Sequence, residues 1–184
     1  MPTQIKSKPG LKNAFSNCSQ EVRDYFQHIP KLLDDFPMDV CLAYVFARLE
    51  LGQNMALYCG AVRIHKANAE VAWNAVSTQH MNRESFVLLY KTVFDVDLPA
   101  AAHADLKNAE TTRDMIMHGK KTSDDKTRNA IARVLEYAEE INKQLHAKHG
   151  LKPYGSLKGF AGKSRKLDER TSRFLLKGMG FAIA

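Results

Sequence analysis

Arginine, aspartate and histidine recur twice at one spacing. "TTRDMIMHGK" carries Arg113, Asp114 and His118, and "EVRDYFQHIP" carries Arg23, Asp24 and His28. Such a triplet is suited to a phosphodiester. Histidine can take the proton of a 2′-hydroxyl or give one to a leaving oxygen, while arginine holds the phosphoryl oxygens as charge builds. Only RNA carries the hydroxyl this chemistry needs, and the reaction requires no metal. A single histidine does not easily serve as both acid and base, so two copies of the motif facing each other across a two-fold axis are expected.

On a helix, residues four apart lie about 40° apart around the axis, and residues five apart about 140°. Asp114 and His118 therefore share a face, and Arg113 must use its length to join them. Gly119 is placed to end that helix in a left-handed turn. This leaves His118 in the last turn, where the negative end of the helix dipole attracts cations. Lys120 and Lys121 follow directly, and Lys126 and Arg128 open the next helix. Lys120, Lys121 and Arg128 are thus candidate nucleic-acid contacts beside the triplet. The first hexad lacks this setting. His28 precedes Ile29 and Pro30, and Tyr25 and Phe26 read as packing residues, so Arg23, Asp24 and His28 are taken as structural.

The elements that must position these groups are helical. From Ser19 onward apolar residues recur at helical intervals, with no sustained alternation and no Asn-Gly or Asp-Gly hairpin, so the fold class is all-α. A first helix is expected over about 20–35, interrupted near Pro30 and closed by Pro37. A long central helix follows, with Asp39 as N-cap, through "VCLAYVFARLELGQNMALYCGAVRIHKA"; Gly52 and Gly60 within it imply close packing. "NAEVAWNAVSTQ" and "NRESFVLLYKTVF" are the next two, the latter capped by Asn82. Pro99 starts the helix that bears the second hexad, and a last long helix spans about 126–149, ended by Gly150 and Pro153. Its apolar stripe is Ile131, Val134, Leu135, Ala138, Ile141 and Leu145. Trp73, Tyr58, Tyr90 and Phe94 are expected in the core.

Composition sets the outer bounds. With 184 residues, 45% hydrophobic and 26% charged, the chain suits one globular domain with appendages. No apolar run reaches the roughly 18 residues of a membrane span, and no secretory signal opens the chain, so a cytoplasmic protein is expected. Cys18, Cys41 and Cys59 have no zinc-like spacing and read as reduced thiols; no metal or other cofactor is expected. His65, His80, His103, His146 and His149 have no partners at informative spacing.

The net charge of +7 is concentrated at one end. Residues 1–37 hold five basic and four acidic side chains, 38–149 fourteen of each, and 150–184 eight basic and two acidic. This gives an N-terminal extension with one helix over 1–37, a helical domain over 38–149, and a basic Gly/Lys-rich tail over 150–184 with a short helix near 167–177. Phe174, Leu175, Leu176 and Phe181 give that helix something to bury. The tail interleaves Tyr154, Phe160 and Phe174 with cations including Lys158, Lys163, Arg165 and Lys166, a composition suited to single-stranded nucleic acid. A solvated tail packed at home is the competing reading.

"ETTRDMIMHGK", set between long apolar helices and a long terminal one, resembles the HEPN superfamily, whose signature is Arg, a polar residue, three further residues and His. Arg113, Asp114 and His118 satisfy it, and the His118-Gly119 junction is also common there. The resemblance covers about residues 38–149. It implies a bundle of four to five helices, here with an extra N-terminal helix and the tail, usually dimeric, with the motifs of both subunits lining an interface cleft. Many members are metal-independent ribonucleases of toxin–antitoxin, abortive-infection or other antiviral defence systems. By that likeness Arg113 and His118 would be catalytic and Asp114 would orient them. The chain carries no nucleotidyltransferase domain, so an antitoxin or regulator would be a separate protein.

Two other functions fit the composition. One is a non-catalytic helical module that binds nucleic acid or a protein, with His118 only a helix-end cation and Arg113 and Asp114 only surface pairs. The other, a helix-turn-helix in "EVAWNAVSTQHMNRESFVLLYKTVF", ranks last: the turn glycine is missing and the second helix is too apolar to lie in a groove.

Overall fold

The computed structural model describes residues 4–79, 81–157 and 166–183. Among them there is no strand, and nine α-helices and one π-helical turn account for the fold. No described helix is long and apolar enough to cross a membrane.

The segment before Met38 is three helices where the apolar spacing predicts one. Helix α1 (Lys8–Ser16) is capped by Ser7, whose hydroxyl accepts from the Gly10 amide at 3.1 Å, and has Pro9 in its first turn. Leu11 and Phe15, four apart, are buried from it. Helix α2 (Gln20–Tyr25) ends at Phe26, and α3 (Ile29–Asp35) restarts with Pro30 in its first turn. Proline lacks an amide donor and its ring collides with the preceding turn, so Pro30 begins a helix rather than bending one.

Helix α4 (Met38–Cys59) is the hub; it packs on α3 and on the helices that follow it, and ten of its residues are buried. Its N-cap is Pro37, two residues earlier than the expected Asp39, whose carboxylate instead accepts from the Val40 amide at 2.8 Å. The two helical glycines mark close approach. A Cβ on Gly52 would collide with the Tyr154 ring, and one on Gly60 with Val93 and Phe94. At Gly60–Ile64 the helix widens into the π-turn.

Helices α5 (Ala69–Ser77) and α6 (Arg83–Phe94) begin at Asn68 and Asn82, whose side-chain oxygens accept first-turn amides. Helices α7 (Ala100–Met117) and α8 (Asp124–His149) form an αα-hairpin with the most extensive helix pairing of the fold. Gly119 adopts the left-handed backbone the sequence predicts, φ 69°, and Gly150, expected to end α8, does so with φ 65°. Ion pairs Arg133–Asp105 and Arg83–Glu110 tie α7 to α8 and to α6. The expected α8 stripe from Ile131 to Leu145 is buried throughout.

The segment after Gly150 is not a loose linker where it is described. Leu151, Pro153 and Tyr154 are buried, and Tyr154 is held by a reciprocal pair. Asn142 donates Nδ2 to the Tyr154 carbonyl at 2.9 Å and its Oδ1 accepts the Tyr154 amide at 3.0 Å. Tyr154 therefore fills the core instead of stacking on a base. Helix α9 (Glu169–Gly178) returns to α5: Ser172 Oγ accepts the Asn68 amide at 2.8 Å, and Leu176, Met179 and Phe181 are buried beside it. Two aromatic expectations fail. Trp73 is 43% exposed and meets Tyr58 edge-on, and Phe174, expected to be buried, is 81% exposed.

Candidate active site at the end of helix α7

The last turn of α7 presents the second hexad on the surface. Asp114 and His118, on one face by their i, i+4 spacing, are both exposed. Arg113, half-buried, curls back onto its neighbour: Nε and Nη2 both donate to Asp114 Oδ1, at 3.0 and 2.9 Å. Its remaining edge crosses to α4, where Nη1 donates to Glu50 Oε1 at 3.0 Å, and its plane lies 4.9 Å from the centre of the Phe46 ring. The guanidinium is thus fixed by two carboxylates and an aromatic face. Glu50 is a site residue that local spacing does not reveal, since it lies 63 positions away on another helix.

His118 is the C-cap of α7, and its imidazole makes no hydrogen bond or ion pair with the described residues. It is therefore available to an incoming group. Beyond Gly119 the chain turns under the N-terminus of α4. Lys120 and Lys121 are exposed and line a groove of about 390 Å³ with Met38, Asp39 and Asp124. An adjoining apolar recess of about 200 Å³ is formed by Val40, Leu42, Ala43, Ile116 and Met117, with Arg113 on its wall. Arg113, Asp114, Lys120 and Lys121 thus gather at one end of α7 around the exposed His118.

The other candidate contacts separate from this cluster. Arg128 is buried; its guanidinium is bonded to Asp125 and to the Lys6 carbonyl, so it is not presented to a phosphate, contrary to the sequence reading. The N-terminal arm covers it, and Ile5 pairs with Asn129 one residue on. Lys166 is half-buried, its ammonium donating to the Val62 carbonyl at 2.9 Å, at the far end of α4. Lys158, Phe160, Lys163 and Arg165 lie outside the described residues.

The first hexad is occupied by local packing. Arg23 donates to the carbonyls of Ser16 and Cys18 and to Gln20, whose amide in turn reaches Asp24. His28 caps α3 and meets the Tyr44 ring edge-on, 5.8 Å between centres. Among the described residues no group of three His, Cys, Asp or Glu side chains is arranged to hold a metal ion. The chain has no significant match among protein-family models, curated proteins or solved structures.

Proposed function

We propose that the protein is a HEPN-type, metal-independent endoribonuclease that acts as a homodimer on RNA in the cytoplasm. The observation that carries this reading is the pairing, at one helix end, of an immobilised arginine with an exposed, uncommitted histidine. Arg113 would neutralise the phosphoryl oxygens and Asp114 would hold its guanidinium in plane. His118 of one copy would take the 2′-hydroxyl proton as O2′ attacks phosphorus. His118 of the partner subunit would protonate the departing 5′-oxygen, leaving a 2′,3′-cyclic phosphate and a 5′-hydroxyl.

A second copy has a surface to cover. Val40, Ala43, Ala47 and Leu51 recur every three or four residues on the solvent side of α4, and Phe36 and Met117, 47% and 67% exposed, extend that stripe. Such a stripe beside the motif suits a helix-on-helix dimer that would bring the two histidines together. On this reading the enzyme serves as a toxin or defence effector, and a separate antitoxin protein restrains it.

A second reading has its own support. Arg113 already carries two carboxylates, which is the arrangement of a structural pin between α4 and α7 in a non-catalytic binding module. The two are separated by incubating the purified protein with a mixed RNA pool in EDTA, beside His118→Ala and His28→Ala. The enzyme yields 2′,3′-cyclic phosphate ends, loses them with His118→Ala and keeps them with His28→Ala. A wild-type dimer that cuts nothing leaves the binding module.

A further inference from the structure

Asp39 stands where two hollows meet. The lysine groove at the start of α4 and the apolar recess between α4 and α7 share two wall residues, Asp39 and Ile116, so they are adjoining compartments of one surface. The groove is polar, with Lys120 and Lys121 exposed on it. In the recess, buried Leu42 and half-buried Ile116 lie between exposed Ala43 and Met117. Among the described residues lining the recess, Asp39 is the one carboxylate and Arg113 the one cation, and Arg113 is already held by Asp114 and Glu50. Asp39 Oδ1 accepts the Val40 amide at 2.8 Å; among the described residues the carboxylate has no ion pair, and Oδ2 has no hydrogen bond. Its place in the first turn of α4 accounts for a negative charge there. It does not account for an apolar slot beside that charge.

From this juxtaposition of an unpaired carboxylate and an apolar slot at the edge of the lysine groove, we propose that the recess is a binding site for a guanine base of RNA, read by Asp39 along its Watson–Crick edge. This deepens the reading above and rests on it for the identity of the polymer as RNA. A carboxylate only accepts, and its two oxygens suit a pair of parallel donors. Guanine alone among the four bases offers two adjacent N–H donors on that edge, from N1 and the exocyclic amine. Adenine and cytosine set a ring nitrogen lone pair beside their amine, and uracil sets carbonyls beside its one N–H, so each would turn an acceptor toward the carboxylate. Unpaired RNA leaves this edge free to be read. The flat apolar faces of the base suit the slot, and Met117, unbranched and 67% exposed, can lay its thioether against the ring. Val40, Ala43 and Met117 also belong to the stripe assigned to the second copy, which on that arrangement roofs the slot rather than fills it. Because the two hollows share a wall, one nucleotide spans both, its base in the recess and its phosphate over Lys120 and Lys121 beside His118. Asp39 therefore sets where in the RNA the cut falls.

The test uses the full chain with His118→Ala, in EDTA, so that binding is read without cleavage. The probe is a short fluorescein-labelled oligouridylate with one guanosine at its centre, followed by anisotropy beside the same strand carrying adenosine or inosine there. Guanosine is expected to bind tighter than adenosine by about 5- to 150-fold. Inosine, which is guanosine without the exocyclic amine, should lose about 2- to 12-fold, the worth of one hydrogen bond. Asp39→Asn keeps the shape and replaces one acceptor with a donor, so it should abolish the inosine effect and move the preference toward adenosine, which asparagine can pair. Equal affinity for the three strands, or none for any, overturns the proposal and leaves the recess to the second copy. An undiminished guanosine preference in Asp39→Asn, with its circular dichroism unchanged, overturns it too. Cleavage by the chain with His118 intact is scored separately. If it cuts but the strands bind alike, the guanine site falls and the ribonuclease stands; if Asp39 reads guanosine but nothing is ever cut, the ribonuclease falls and the guanine site stands.

Discussion

Glu50 is the residue whose replacement most directly asks what Arg113 is for. Its carboxylate meets Arg113 Nη1 at 3.0 Å, with the two side chains 62% and 29% exposed. An ion pair so open to solvent contributes about 0.2–1 kcal/mol. Glu50→Gln keeps the shape and removes the charge, and Asp114 still holds the guanidinium through two hydrogen bonds. If Arg113 receives the scissile phosphate, Glu50 competes with it, and releasing that competition should tighten RNA binding by about 1.4- to 5-fold. The gain should appear in KM with kcat little changed, and should shrink between about 50 and 300 mM salt because the original pair is screened there. Thermal melting checks that the fold is intact, with the midpoint moving by no more than about 4 °C. A fall in kcat at unchanged KM would refute competition and make Glu50 a positioning residue for Arg113. No change at any salt would mean that Arg113 does not meet RNA at all.

Two further outcomes concern the scaffold. Asn142→Ala strands the Tyr154 amide and carbonyl in the core and should cost about 2–4 kcal/mol, a fall in melting midpoint of roughly 5–15 °C; a shift under about 2 °C would mean that the asparagine does not hold this segment. Burial pushes the Cys41 and Cys59 thiols up to about 12, and burial with Glu139 does the same for Cys18. Because the folded values lie above the unfolded ones, the protonated thiols' stabilising contribution is complete below about pH 9 and lost as pH rises through about 12. Urea midpoints should therefore fall across that alkaline range, and Ellman's reagent at pH 8 should titrate the three thiols only once urea unfolds the chain.

Much of the scaffold was legible because its signals are local. Asn82, Gly119 and Gly150 sit where a helix must start or stop, and the α8 stripe has the period of its own helix. Gly52 in α4 and Gly60 at its end announced contacts without naming the partner, since nothing near Gly52 points to a tyrosine more than a hundred residues on. Helix α1 was missed although Ser7, Pro9, Leu11 and Phe15 spell a cap, a first-turn proline and an apolar pair; a polar nine-residue stretch becomes a helix only because α8 receives its face. Arg128 was misplaced for a similar reason: the arm that covers it comes from residues 5 and 6. At the candidate site, the shared face of Asp114 and His118 followed from helical spacing, whereas their exposure and the clamp on Arg113 depend on how α4 and α7 cross.

Tyr154 has a consequence for the order in which the molecule can be completed. Its ring occupies the space left by Gly52, contacts Tyr25 and Phe26 edge-on and face-on, and donates its hydroxyl to the Leu49 carbonyl at 3.4 Å. Helices α2, α4 and α8 therefore converge on a side chain that comes after all of them in the chain. Until that ring is seated they surround a void of aromatic size, a defect that costs several kcal/mol in a packed interior. A polypeptide growing from its N-terminus reaches that point only after the hexads, α7 and α8 have been made. The clamp between Glu50 and Arg113 thus gains its rigid support only when more than four-fifths of the chain exists, and a product stopped at Gly150 would carry every residue of the motif on a frame lacking its keystone.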